Sequence, residues 1–80
     1  MADDVNFPQH YRQSNTETIE LIRESMTTVE FHGYLKGACM KYMARYKYKG
    51  QPVQDLEKAQ WYLNRLIVEV LEVETEREAE

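Results

Sequence analysis

The sequence predicts an all-α fold: a three-helix unit, one short helix followed by a long helical hairpin, assembling as a helical homo-oligomer. Three observations carry this. Helix breakers are scarce, with three Gly and two Pro in eighty residues, and no Asn-Gly or Asp-Gly dipeptide marks a β-hairpin. Apolar residues recur at spacings of three and four along most of the chain. A chain of 80 residues buries only about 60–65% of its unfolded surface, so its own core is marginal. Small chains usually add a disulfide, a metal or a partner subunit. The single cysteine, Cys39, excludes an internal disulfide, and one Cys with two His cannot complete a four-ligand zinc site of the usual spacing. Self-association is the remaining support, and neither a metal nor a cofactor is expected.

The elements follow in order within one domain spanning residues 1–80. Residues 1–13 carry two acids, Pro8 and no sustained periodicity, and read as an N-terminal arm that includes Phe7, His10 and Tyr11. Ser14-Asn15-Thr16-Glu17 has the form of a capping box, with Glu17 placed to reach back to the Ser14 amide. Ile19, Ile22 and Met26 then mark a short helix over about 15–26. Thr27-Thr28-Val29-Glu30 repeats the box and starts a second helix expected to run to about Tyr48. Gly50 suits a left-handed residue after a helix end, and Pro52 suits the first turn of the next helix. The third helix should run from Pro52 to about Glu76, with 77–80 as an acidic tail. Leu56, Ala59, Leu63, Leu66, Ile67, Val70 and Val73 form its apolar stripe. That stripe is longer than the shorter helices can cover, which again calls for a partner chain.

Charge is segregated. The net charge is −4, yet Phe31–Gln54 holds five bases and no acid, leaving −9 on the other 56 residues. Cations near a helix C-terminus favour the macrodipole, which accounts for Lys47 and Lys49. Lys41 and Arg45 lie mid-helix and need another reason. Phe31, Leu35, Ala38, Cys39 and Tyr42 form the core-facing stripe, whereas Tyr34, Gly37, Lys41, Arg45 and Tyr48 share a neighbouring face. A glycine inside a helix costs about 1 kcal/mol relative to Ala. Gly37 therefore marks either the close approach of a ligand or close helix packing through Gly33-xxx-Gly37. Two cations one turn apart, flanked by phenols, can hold a phosphate and stack a base. Asp55 and Lys58 open the third helix near the same end of the hairpin, and an Arg45–Asp55 ion pair is at least as well motivated as a metal ligand.

Several chemistries are absent. The stretch from Gly33 to Lys41 only loosely resembles a phosphate loop and lies inside a helix. Asp55 stands alone, with no second carboxylate near the basic cluster to hold Mg²⁺. Cys39 falls on the apolar stripe, as a buried hydrophobe rather than a nucleophile. A pI near 5.2 argues against a general duplex-nucleic-acid binder. No apolar run approaches the roughly 18–20 residues of a membrane span, and the acidic Met1-Ala2-Asp3-Asp4 start is unlike a signal peptide.

The run from His10 to Leu66 resembles a small helical phage family of unknown function, often labelled nucleotide-kinase-like and related to a podoviral nucleotide kinase without a Walker motif. The residues that carry the resemblance are His10-Tyr11 and Glu17-x-Ile19. They continue with Gly37-x-x-x-Lys41-Tyr42-x-x-Arg45-x-x-x-Lys49-Gly50 and Asp55-Leu56-x-Lys58-Ala59-x-x-Tyr62-Leu63. The family usually has Gly-Asn where this chain has Gly37-Ala38. The resemblance implies an oligomer that handles nucleotides in the host cytoplasm. Lys41 and Arg45 would bind phosphate and Lys49 and Lys58 would supplement them. His10 and Tyr11 would close the pocket, and Asp55 would orient a cation or accept a ribose hydroxyl. The favoured function is a nucleotide-binding protein, sequestering a small nucleotide such as an immune signal by analogy with other small phage proteins. The alternatives are a deoxynucleoside monophosphate kinase without a P-loop and a helical module that inhibits a host protein.

Overall fold

A computed structural model describes residues 18–79, and every described element is helical. Helix α1 occupies 18–24, α2 spans Thr28–Arg45 and α3 spans Pro52–Ala79. The chain divides into two compact units whose boundary falls inside α2, between Phe31 and His32. Among the described residues, no helix is long and apolar enough to cross a membrane.

In the first unit α1 ends in a hydrogen-bonded turn. The Ser25 amide donates to the Leu21 and Ile22 carbonyls, and the Ser25 hydroxyl donates to Ile22 at 2.8 Å. The expected start of α1 at 15, and the Ser14/Glu17 box, lie outside the described residues. The second capping box forms as the sequence requires. The Thr27 amide donates to Glu30 Oε1 at 2.9 Å, and the Glu30 amide donates to Thr27 Oγ1 at 3.1 Å. Two amides that the first turn of α2 would leave unpaired are thereby satisfied. Among the described residues of this unit, Ile19 and Phe31 are the buried apolar side chains.

The second unit is the helical hairpin. Leu35, Cys39 and Ala59 are its buried apolar residues, and Leu35 is fully enclosed. Cys39 is thus the buried hydrophobe its position on the stripe requires. Helix α2 stops at Arg45, a turn earlier than expected. The Tyr48 amide donates to the Arg45 carbonyl at 2.9 Å, closing a tight turn over 46–48. Gly50 follows at φ 83°, a left-handed conformation that suits glycine and redirects the chain into Pro52. Helix α3 runs three residues further than expected, to Ala79. Glu76, Arg77, Glu78 and Ala79 are good helix formers, and Arg77 sits favourably in the last turn.

The helices differ in length. At 1.5 Å per residue α2 is about 27 Å long and α3 about 42 Å. Gly33 and Gly37 are both exposed, and a Cβ at either would meet nothing within 4 Å. Close packing of the described chain against Gly33-xxx-Gly37 is therefore not what these glycines serve.

Candidate functional site

The basic residues of α2 and the start of α3 converge on one ring. Lys41 Nζ lies 4.6 Å from the Tyr42 ring centroid, the Arg45 guanidinium carbon 4.9 Å and Lys58 Nζ 5.4 Å. Lys41 and Arg45 are brought together by the four-residue helical repeat. Lys58 joins them because the 46–51 connection folds α3 back along α2. Each cation gains from the negative face of the phenol.

Among the described residues, one of the three has an acidic partner. Arg45 Nε donates to Asp55 Oδ1 at 3.3 Å, the ion pair expected from the sequence. Asp55 is 1% exposed and sits in the first turn of α3, where the helix dipole favours a carboxylate. Its second oxygen, Oδ2, is buried with no hydrogen-bond partner. Lys41 and Lys58 have no acidic partner among the described residues. The cluster therefore carries an excess of positive charge beside one aromatic face, an arrangement suited to an anion.

The ring belongs to a larger aromatic group. Tyr42 stacks on Tyr62 with centroids 5.9 Å apart and planes at 10°. Tyr34 and Trp61 both meet Tyr62 edge-on, at 6.2 and 5.1 Å. Burial first, then the adjacent Tyr34 and Tyr42 hydroxyls, push the Tyr62 phenol up to about 12. The unfolded chain releases this proton near pH 10 while the folded chain holds it to about 12. Stability contributed by neutral Tyr62 is thus intact below pH 10 and is lost as pH rises toward 12. An alkaline titration of tyrosinate absorbance should show late ionisation from Tyr62, and Tyr62→Phe should remove that component. Ionisation of every tyrosine together near the ordinary value would contradict this environment.

Of the other expected site residues, Lys49 and Gly37 fall among those described. Lys49 is exposed in the turn after α2 and is not among the cations around Tyr42. Gly37 is exposed on α2, one turn before Lys41. His10 and Tyr11 lie outside the described residues. No group of three metal-ligating side chains occurs among the described residues. The spacing places Tyr42 on the core-facing stripe and assigns Tyr62 no site role. In the structure the three cations lie over the Tyr42 ring, and Tyr62 stacks on that ring. Their available signal was the recurrence of aromatic residues at 34, 42 and 62 beside the basic positions.

Comparison with known proteins adds the following. A family model described as a protein of unknown function (DUF3310) matches residues 5–64, which include Lys41, Arg45, Asp55, Lys58 and Tyr62. The chain is similar to the "Gene 1.7 protein" of Enterobacteria phage T3, 41% identical over 66 residues that make up 78% of this chain. It spans only 40% of the length of that curated relative. No solved structure matches.

Proposed function

The chain belongs to the DUF3310 family of proteins of unknown function, and we propose that it is a phage-encoded nucleotide-binding protein. The observation that carries this reading is the convergence of Lys41, Arg45 and Lys58 on the Tyr42 ring, with one carboxylate among three cations. Lys41 and Lys58 supply point charges for a phosphate, and Arg45 supplies the remaining guanidinium donors that Asp55 does not use. The Tyr34, Tyr42 and Tyr62 cluster offers aromatic surface for a base. Asp55, enclosed behind the cluster, positions Arg45 for the ligand. Lys49, Gly37, His10 and Tyr11 complete the proposed pocket.

Binding without turnover is favoured over a kinase. Phosphoryl transfer is largely positioning and charge neutralisation, and it ordinarily recruits Mg²⁺ through carboxylates. Asp55 is already committed to Arg45, and among the described residues no carboxylate pair accompanies it. Sequestration of a signalling nucleotide in the host cytoplasm is the role such a protein would serve.

The test is calorimetric titration with nucleoside mono- and triphosphates, run beside a turnover assay of dTMP or dGMP with a triphosphate donor, with and without Mg²⁺. We expect saturable binding that weakens with salt, and recovery of intact nucleotide. Lys41→Ala and Lys58→Ala should each weaken binding about tenfold, the equivalent of one charge-assisted hydrogen bond, without lowering the melting temperature. Turnover would favour the kinase reading. Unchanged affinity in both variants would leave the surface as a protein-docking module.

A further inference from the structure

The apolar stripe of α3 is two seams, and the hairpin uses one of them. Ala59, Leu66 and Val73 repeat every seven residues; Ala59 is buried and the other two are half-buried. Leu56, Leu63 and Val70 repeat at the same interval, joined by Ile67. These four remain 40%, 45%, 37% and 48% exposed, respectively. A seven-residue apolar repeat is the pattern by which one helix buries itself against another. Beside its first half, Cys39, Met43, Val53, Leu56 and Leu63, with Glu57 as the one charged side chain among the lining residues, form an open groove of about 390 Å³ between α2 and α3.

Charge decides what can cover this seam. Beyond the groove α3 carries exposed Glu72, Glu74, Glu76 and Glu78 against Arg77 alone. At the hairpin end the bases outnumber the acids: residues 31–54 hold five bases and no acid, against exposed Glu57 in the groove and the enclosed, Arg45-paired Asp55. Lys36 lies seven residues before Met43 on α2, and Lys47 follows α2 in the turn. A second copy laid parallel would set four glutamates against four. Laid antiparallel, each acidic end meets the other copy's basic turn, and each helix N-terminus meets the other's acids.

We propose that this seam is a homodimer interface, with α3 of two copies pairing antiparallel about a two-fold axis. Leu63 of each chain packs against Ile67 of the other, and Gln60 comes opposite Val70. The same patch thereby serves both subunits, as two-fold symmetry requires. The inference stands apart from the nucleotide reading, because the cations around Tyr42 are not part of this seam.

The full chain, examined by native mass spectrometry and light scattering, should contain a dimer or an even-numbered assembly. Ile67→Arg and Leu63→Arg should each weaken it at least about 100-fold, since two apolar side chains lose their burial, while far-UV circular dichroism stays helical. Orientation is read by disulfide trapping in a Cys39→Ser background. Chains carrying Gln60→Cys mixed with chains carrying Val70→Cys should crosslink to each other, whereas neither should crosslink to itself. A monomer overturns the proposal, including one whose residues 1–17 cover the seam. So does self-crosslinking at position 60, which marks parallel pairing, or a dimer trapped by neither combination.

Discussion

Arg45→Ala should destabilise the protein by about 2–3 kcal/mol, somewhat below the 3–5 kcal/mol typical of breaking a buried ion pair. The asymmetry of the pair sets the figure. Asp55 is enclosed while the Arg45 side chain is 37% exposed, so the substitution strands a carboxylate that water can only partly reach. It also removes one of the cations stacked on Tyr42. Asp55→Leu should cost less, because it deletes the group that is expensive to bury. The Arg45→Ala/Asp55→Leu double variant should recover most of the loss, giving a non-additive cycle in urea unfolding. Additive costs would mean that the 3.3 Å contact contributes nothing. Because Arg45 affects both stability and the anion site, Lys41 and Lys58 are the cleaner probes of binding.

Leu35→Ala should cost about 2–5 kcal/mol, the range for truncating a fully buried leucine. Leu35 is enclosed at 0% exposure, one turn from buried Cys39, and in so thin a hairpin few neighbours can move in to fill the space. A chain of 80 residues has a total stability of about 4–12 kcal/mol. The variant should therefore be largely unfolded at a modest denaturant concentration. Leu21→Ala is the control: Leu21 is 64% exposed and its truncation should be close to neutral. Similar losses at both positions would show that the hairpin core is not where stability resides.

Much of this architecture is legible before folding because it depends on short-range chemistry. Thr27 and Glu30 form the reciprocal cap because their spacing leaves two amides to satisfy. Gly50 and Pro52 end one helix and start the next because their backbone angles are restricted in opposite ways. The stripe of Phe31, Leu35 and Cys39 is buried as its periodicity requires. Even the Arg45–Asp55 pair could be anticipated, since a hairpin brings a helix end and the next helix start together.

Less was legible wherever two faces compete. Periodicity marked α3 as apolar over a broad arc but did not divide it. Only the packed hairpin shows Ala59 buried while Leu56, Leu63 and Ile67 stay exposed. Likewise, Tyr42 lies at the edge of the core stripe, where spacing alone assigns it to the interior. Its role as the ring beneath Lys41, Arg45 and Lys58 depends on the chain reversal that delivers Lys58.

An all-α chain, its caps and breaks, and the acid-free run of five bases over 31–54 are all readable along the chain, because each depends on neighbours within a few residues. Only the tertiary structure decided which cations share a ring, which carboxylate is enclosed and which apolar seam is left uncovered. Those outcomes depend on the rotation of α2 against α3, which side chains far apart in the chain set together.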